Sequence, residues 1–247
     1  MGFNLTIDCG NTSTKAVVWH DGTAVCRAEL RGTDVTIRLA KLIAPYELDY
    51  AIACSVADDP ERLLRVAENH GCRRMMEFTT AMRVPLTIGY RTPQTLGVDR
   101  LAAAVGAASL RPGTELLIAD IGTAATYDVV TASGCYAGGN IAPGIKIRLA
   151  GLHEHTSRLP LVESRGDTPD FGYDTVTAMR AGAVRGVVAE LLYYRSLGVE
   201  TPRYTFVAGG WGAEVMAMLP AGVNDIEYDK YLVNQGLNRI LLYNEDK

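Results

Sequence analysis

The chain has 247 residues, with 24 Lys and Arg against 28 Asp and Glu and a formal net charge of −4. With no basic run, that balance argues against nucleic acid as the main partner, because holding a phosphate backbone needs a concentrated positive face. No apolar stretch reaches the roughly 18 residues that a membrane helix needs, and the length suits one large domain or two of about 110–130 residues.

In chain order, apolar and β-branched runs predict strands near 3–8, 14–20 and 23–30, the last two joined by His20-Asp21-Gly22-Thr23. A short helix follows around 35–43, then a buried strand AIACSV at 51–56. Asp58-Asp59-Pro60 opens a helix to about His70, with proline in its first turn. A strand is predicted over 73–79, and RVPLTIGY runs extended to Tyr90. Gly97-Val98-Asp99-Arg100 leads into LAAAVGAASL, a helix of small residues ending at Leu110 that can pack its backbone close to its neighbours. Arg111-Pro112-Gly113 is the candidate boundary, dividing the chain into 1–113 and 114–247. Beyond it, strands are predicted near 115–120, 124–131 and 135–142, and Ala142-Pro143-Gly144 starts a helix to about His155. A polar loop at 164–174 precedes the longest helix, 175–196, whose Val176, Met179, Ala183, Val187 and Leu191 form a core-packing stripe. A strand at 203–208, a glycine turn at 209–212 and a helix around 229–243 complete the pattern, which is that of an α/β fold.

One motif occurs twice. Residues 5–22 read LTIDCGNTSTKAVVWHDG and residues 117–134 read LIADIGTAATYDVVTASG. In both, an apolar strand ends in Asp-x-Gly (Asp8 and Gly10, Asp120 and Gly122), followed by small hydroxyl residues and a second apolar run. Glycine lets backbone N–H groups approach phosphate oxygens and hydroxyls add donors, whereas the acceptor-only carboxylate suits a cation. Two such loops facing each other would grip a nucleotide triphosphate; two unrelated β-hairpins are the plainer alternative. The matched pair favours the functional reading.

Other features carry less chemistry. Cys9, Cys26, Cys54, Cys72 and Cys135 are scattered, without a CxxC pair, so neither a zinc cage nor a disulfide framework is expected and a reducing cytoplasm is. Cys9 is read as a small filler rather than a nucleophile. MGFNLTIDCG has no basic segment before a long apolar one, so no signal peptide is expected; Gly2 and Thr6 formally meet a myristoylation pattern that an inward strand at 3–8 would defeat. His153 and His155 point apart on a helix and do not make a metal pair. Asp58, Asp59, Glu61 and Glu68 are read as a solvated helix face.

The strings DCGNTSTK (8–15), TLGVDR (95–100), DIGTAATYD (120–128), GGNIAPG (138–144) and VAGGWG (207–212), with LHEHTSRLPLVE, resemble the type III pantothenate kinases nearly end to end and in the family's order. The resemblance implies a duplicated actin-like (ribonuclease H-like) α/β fold with a nucleotide cleft between the halves, as in sugar kinases, chaperone ATPases and actin. It implies a cytosolic homodimer that transfers the γ-phosphate of ATP to pantothenate, with Mg2+ beside ATP and K+ or NH4+ as activator, and with neither nucleic acid nor membrane as partner. By the same resemblance Asp8, Cys9, Gly10, Asn11, Thr12, Ser13, Thr14 and Lys15 surround the phosphates, Thr123 touches ATP, and Asp120 ligates the monovalent cation. Gly209 and Gly210 mark the adenosine side; Trp211 either shelters the base or is a core tryptophan. Tyr90, Gly97, Val98, Asp99, Arg100 and Thr175 line the pantothenate pocket. Asp99 is the expected catalytic residue and also reads as a helix N-cap, two roles that can coexist because a helix N-terminus favours the ionised carboxylate. A loose phosphoryl-transfer transition state asks such a base only to orient the hydroxyl. Arg100 pairs with substrate or in a surface ion pair, and Thr175, preceded by Asp174, is either a substrate contact or a first-turn hydroxyl. Two competitors stay open: a kinase of another small alcohol, and a nucleotide-binding switch without catalysis.

Overall fold

Strand β1 (Phe3–Cys9) is buried along nearly its whole length, its Leu5 and Ile7 on one face and Thr6 and Asp8 on the other. Burial on both faces is the signature of a sheet covered by helices on both sides. The computed structural model describes residues 2–55, 59–198 and 203–245. After β1 the chain forms β2 (Thr14–His20), β3 (Thr23–Leu30), α1 (Val35–Ile43), β4 (Leu48–Ser55), α2 (Pro60–Asn69), β5 (Arg74–Glu77), the two-residue β6 (Thr87–Ile88) and α3 (Val98–Leu110). The sheet order is β3-β2-β1-β4-β5, with β1–β2 antiparallel and β1–β4 and β4–β5 parallel.

The second half repeats that plan. Its elements are β7 (Leu116–Ile121), β8 (Ala124–Val130), β9 (Cys135–Pro143), α4 (Ile145–Glu154), α5 (Thr175–Arg195), β10 (Tyr204–Ala208), α6 (Gly212–Ala217) and β11 (Ile226–Tyr228). Here the order runs β9-β8-β7-β10-β11, with β7–β8 antiparallel and β7–β10 and β10–β11 parallel, and the short β6 adds a parallel edge strand beside β9. In each sheet the first strand sits between its hairpin partner and a parallel strand reached through a crossover, so the repeat in sequence is a repeat of topology. Met179, Ala183, Val187 and Leu191 of α5 are buried against Leu117, Ala119 and Ile121 of β7, whereas Val176 of the expected stripe is exposed.

The chain separates into two compact units, one holding 1–113 with 131–137 and 231–247, the other 114–130 with 138–230. The final helix α7 (Leu232–Glu245) therefore packs with the N-terminal unit, although sequence order places it in 114–247.

Several local expectations differ from the structure. Asp99 does not cap α3: Gly97 is the N-cap residue, and the Asp99 carboxylate accepts the Arg100 N–H at 2.8 Å from inside the first turn. The cap of α2 is Asp59, whose carboxylate accepts the Glu61 N–H at 3.0 Å; Asp58 lies outside the described residues, as does Val56 at the end of the expected strand. The short α6 and β11 were not expected, because six residues after a glycine turn and three residues of mixed polarity carry no readable period. Of RVPLTIGY only Thr87 and Ile88 form a strand.

Candidate active site

Asp8 and Lys15 are direct partners across the β1–β2 ladder, so both side chains stand on one face at the loop end of the hairpin. The Lys15 Nζ lies 3.5 Å from Asp8 Oδ2, with side chains only 12% and 9% exposed. Burial raises the Asp8 carboxyl above its ordinary value, and the charge and hydrogen bond of Lys15 pull it back. The solvent-facing alternative for Lys15 is thereby excluded. On the other side Asp8 is in register with Cys54 of β4, whose thiol lies 4.0 Å from Asp8 Oδ1. Burial pushes the Cys54 thiol well up; the charges of Asp8 and then Asp99 push it further, and Lys15 works against them. Asp8 and Lys15 are thus in direct contact beside the buried thiol, and Asp99 is near enough for its charge to act on it.

Between the strands, the Gly10 N–H donates to Ser13 O at 3.2 Å, leaving Asn11 and Thr12 exposed at the tip. The Ser13 hydroxyl donates to Glu29 Oε1 at 2.8 Å, and Thr14 is buried. Cys9 is buried in the apolar core, so its backbone is what it can offer the loop.

Asp99 is half-buried and Arg100 buried, which removes the surface ion-pair reading of Arg100. A side chain at Gly97 would press on both, with its Cβ 2.7 Å from Asp99 Oδ1. Tyr90 is half-buried and meets Tyr136 edge-on, ring centroids 6.1 Å apart.

In the second unit Asp120, next to last in β7, lies directly opposite Thr126 of β8. The Thr126 Oγ1 is buried and has no hydrogen-bond partner among the described residues. Gly209, at φ +84°, lies against this carboxylate: a Cβ there would come 2.5 Å from Asp120 Oδ1, so close approach and left-handed backbone both demand glycine. The Trp211 N–H donates to Ile121 O at 3.0 Å and the Tyr228 hydroxyl to Gly209 O at 3.2 Å, fixing the turn beside Asp120. Trp211 itself belongs to the apolar core of this unit, which favours the core reading of that side chain. Thr123 is exposed at the β7–β8 turn, and its carbonyl accepts the Gly144 N–H at the start of α4 at 3.1 Å.

Thr175 is the exposed first residue of α5. The acid before it is committed locally: Asp174 accepts the Thr177 N–H at 2.7 Å, while its own N–H donates to Thr177 Oγ1 at 3.2 Å, a reciprocal capping box. Those bonds to Thr177 lower the Asp174 carboxyl from its ordinary value. His153 Nδ1 is 2.8 Å from Leu159 O and His155 caps the end of α4; among the described residues no group of three His, Cys, Asp or Glu could hold a metal.

Thr126 and Cys54 were missed from sequence. Thr126 had a signal, since it ends the hydroxyl segment of the second repeat; Cys54 had none, because only strand register brings it to Asp8.

A family model described as type III pantothenate kinase matches residues 4–194. A type III pantothenate kinase of Phocaeicola vulgatus is 38% identical over 98% of this chain and 99% of the relative. Those of Porphyromonas gingivalis and Bacteroides fragilis are 38% and 37% identical, each over 99% of this chain and 100% and 99% of the relative. Among solved structures, a Campylobacter jejuni protein described as a Baf family transcriptional activator superposes with a TM-score of 0.62 at 18% identity, over 98% of this chain and all of that one. Component A of (R)-2-hydroxyglutaryl-CoA dehydratase from Acidaminococcus fermentans gives 0.56 at 16%, over 98% and 97%. The fold is the duplicated actin-like α/β arrangement.

Proposed function

The chain belongs to the type III pantothenate kinase family, and from that premise we propose how its residues divide the work. It is a kinase that converts pantothenate to 4′-phosphopantothenate with ATP and a divalent metal, the first step toward coenzyme A. The buried Asp8–Lys15 pair at the mouth of the glycine hairpin, with Asp99 in the first turn of α3 in the same unit, carries the assignment of roles.

The hairpin from Asp8 to Lys15 takes the phosphates. Backbone of Cys9 and Gly10, the exposed Asn11 and Thr12, and Thr14 supply the donors, and Ser13 acts from its tie to Glu29. Lys15 places a fixed positive charge where the transferring phosphoryl oxygens gain negative charge. Asp8 would hold Mg2+ together with the substrate phosphates, as one carboxylate suffices for that ion, and the metal would supply neutralisation of phosphate charge. Asp99 accepts the hydrogen of the pantothenate primary hydroxyl and aims its oxygen. In the first unit Tyr90, Gly97, Val98 and Arg100 receive the rest of the substrate, with Arg100 for its carboxylate; Thr175, on the second unit, is assigned a substrate contact by the family resemblance alone. In the second unit, Thr123 contacts ATP. The Asp120 carboxylate and the partnerless Thr126 hydroxyl form an oxygen donor set that fits K+ or NH4+.

The exposed Ile141, Leu161, Phe171 and Tyr173 of the second unit support a homodimer. Five free cysteines agree with the cytoplasm, and among the described residues no helix is long and apolar enough to cross a membrane.

ADP release with ATP, Mg2+ and pantothenate, measured in potassium and again in sodium, tests the assignment. Turnover that requires both pantothenate and potassium is expected. Turnover indifferent to the cation removes Asp120 and Thr126 from their role, and ADP release without pantothenate removes the acceptor.

A further inference from the structure

Helix α7 carries a polar side chain at a place where the core asks for an apolar one. Asn234 is fully buried. Its Nδ2 lies 3.2 Å from Thr6 O, 3.1 Å from Thr6 Oγ1 and 3.1 Å from Lys15 O. Two amide hydrogens therefore serve three acceptors, all on the β1–β2 hairpin, at Lys15 itself and two residues before Asp8. Thr6 Oγ1 is fixed in turn by the Trp19 indole N–H at 2.9 Å. The Asn234 Oδ1 is buried without a hydrogen-bond partner among the described residues, a burden that leucine would not bring. What the asparagine contributes is its donor end, aimed at the phosphate hairpin.

Two residues on, the same helix is seated against α3 with no slack. A Cβ on Gly236 would overlap the Ala102 carbonyl and come 3.0 Å from Gly106 N, and one on Gly106 would come 2.9 Å from Gly236 N. The helix that begins at Val98 and presents Asp99 in its first turn thus has backbone-to-backbone contact with the helix that holds the hairpin.

We propose that Asn234 is a positioning residue for phosphoryl transfer: through it, α7 holds the Asp8–Lys15 hairpin at a set distance from Asp99, against which Gly236 locks the same helix. The proposal rests on the roles assigned above to Asp8, Lys15 and Asp99. Its mechanism is geometric, since a misplacement of about 1 Å costs on the order of 10²-fold in rate.

The test compares purified Asn234→Leu, Asn234→Ser, Asn244→Ala and Asp99→Asn, each for melting temperature, kcat and the KM of both substrates well below melting. Leucine keeps the volume and removes the donors. Serine keeps one donor at shorter reach. Asn244 makes the same kind of bond from α7, its amide 3.0 Å from Arg83 O, but to a segment outside the site. The expected result is a kcat about 10²-fold lower for Asn234→Leu with a melting temperature near the parent. A smaller loss is expected for Asn234→Ser, and a parental kcat with a lower melting temperature for Asn244→Ala. Parental kcat in folded Asn234→Leu overturns the proposal; should that variant fail to fold, parental kcat in Asn234→Ser overturns it. Equal kcat losses in Asn234→Leu and Asn244→Ala also overturn it, because the effect is then general to the helix. Near-parental turnover in Asp99→Asn brings down the underlying assignment of roles instead, whatever Asn234 does.

Discussion

At the end of β1, Asp8 faces Lys15 across the antiparallel ladder; at the end of β7, Asp120 faces Thr126. The parallel neighbours correspond as well, Asp8 beside Cys54 and Asp120 beside Ala208. One backbone plan therefore presents a carboxylate twice, and the residue opposite decides its chemistry. In the first copy a largely buried ammonium 3.5 Å away offsets the carboxylate, so on the proposed roles the loop brings its own cation to phosphate. In the second the opposite residue is a neutral hydroxyl whose oxygen has no hydrogen-bond partner among the described residues, an oxygen pair that on the proposed roles would suit a cation. The repeated hairpin supplies the same frame twice, and on the proposed roles the residue at one ladder position distinguishes a phosphate loop from a cation loop.

The largest effect is expected at the proposed base of the first unit. Asp99→Asn is expected to lower kcat by roughly 10²–10⁴-fold with an unchanged melting temperature. Steady-state kinetics beside a melting curve check it, and near-native rates would take Asp99 out of the reaction. Next in size, Lys15→Met leaves the Asp8 carboxylate buried without its counter-charge. It should lose turnover and about 3 kcal/mol of stability by denaturant unfolding, with unaltered stability denying that the first loop is internally neutralised. Thr126→Val removes the orphan hydroxyl and should raise the potassium concentration for half-activation by about 10-fold while leaving the fold intact. An unchanged potassium titration would assign the cation elsewhere.

Two smaller effects sharpen the comparison through pH. The Asp8 carboxyl is held above its ordinary 3.8 by burial, so the folded state binds that proton more tightly than the unfolded one. Its contribution is present below pH 3.8 and is lost as pH rises through the raised folded value. Asp8→Asn should flatten that part of the stability profile, and an identical profile would count against the shift. Asp174 is shifted the other way by its bonds to Thr177. Its contribution is present above pH 3.8 and lost as pH falls through the lowered folded value, so Asp174→Ala should reduce the melting temperature slightly at neutral pH and not at all in strong acid.

Much of this was legible before any coordinates. The Asp-x-Gly repeat announced both hairpins, because a strand ending in a glycine turn is written in consecutive residues. The core stripe of α5 was readable from its period, and Pro60 marked the start of α2. The α3 cap was not: Asp99 and Gly97 both suit the position, and the preceding backbone decides which of them stands outside the first turn. Thr175 and Asp174 differed for a similar reason, since the reciprocal bond with Thr177 appears only when the turn closes.

Local order along the chain thus determined the strands, the long helices, the paired loops and the resemblance that names the chemistry, all of which depend on neighbours within a few residues. Tertiary structure alone decided the rest. Cys54 reaches Asp8 from 46 residues away because a parallel strand needs a crossover to find its register, and Asn234 reaches Thr6 across 228 residues because α7 returns to the first unit. Such contacts depend on which faces must be buried together, and that is a property of the packed molecule, not of any one segment.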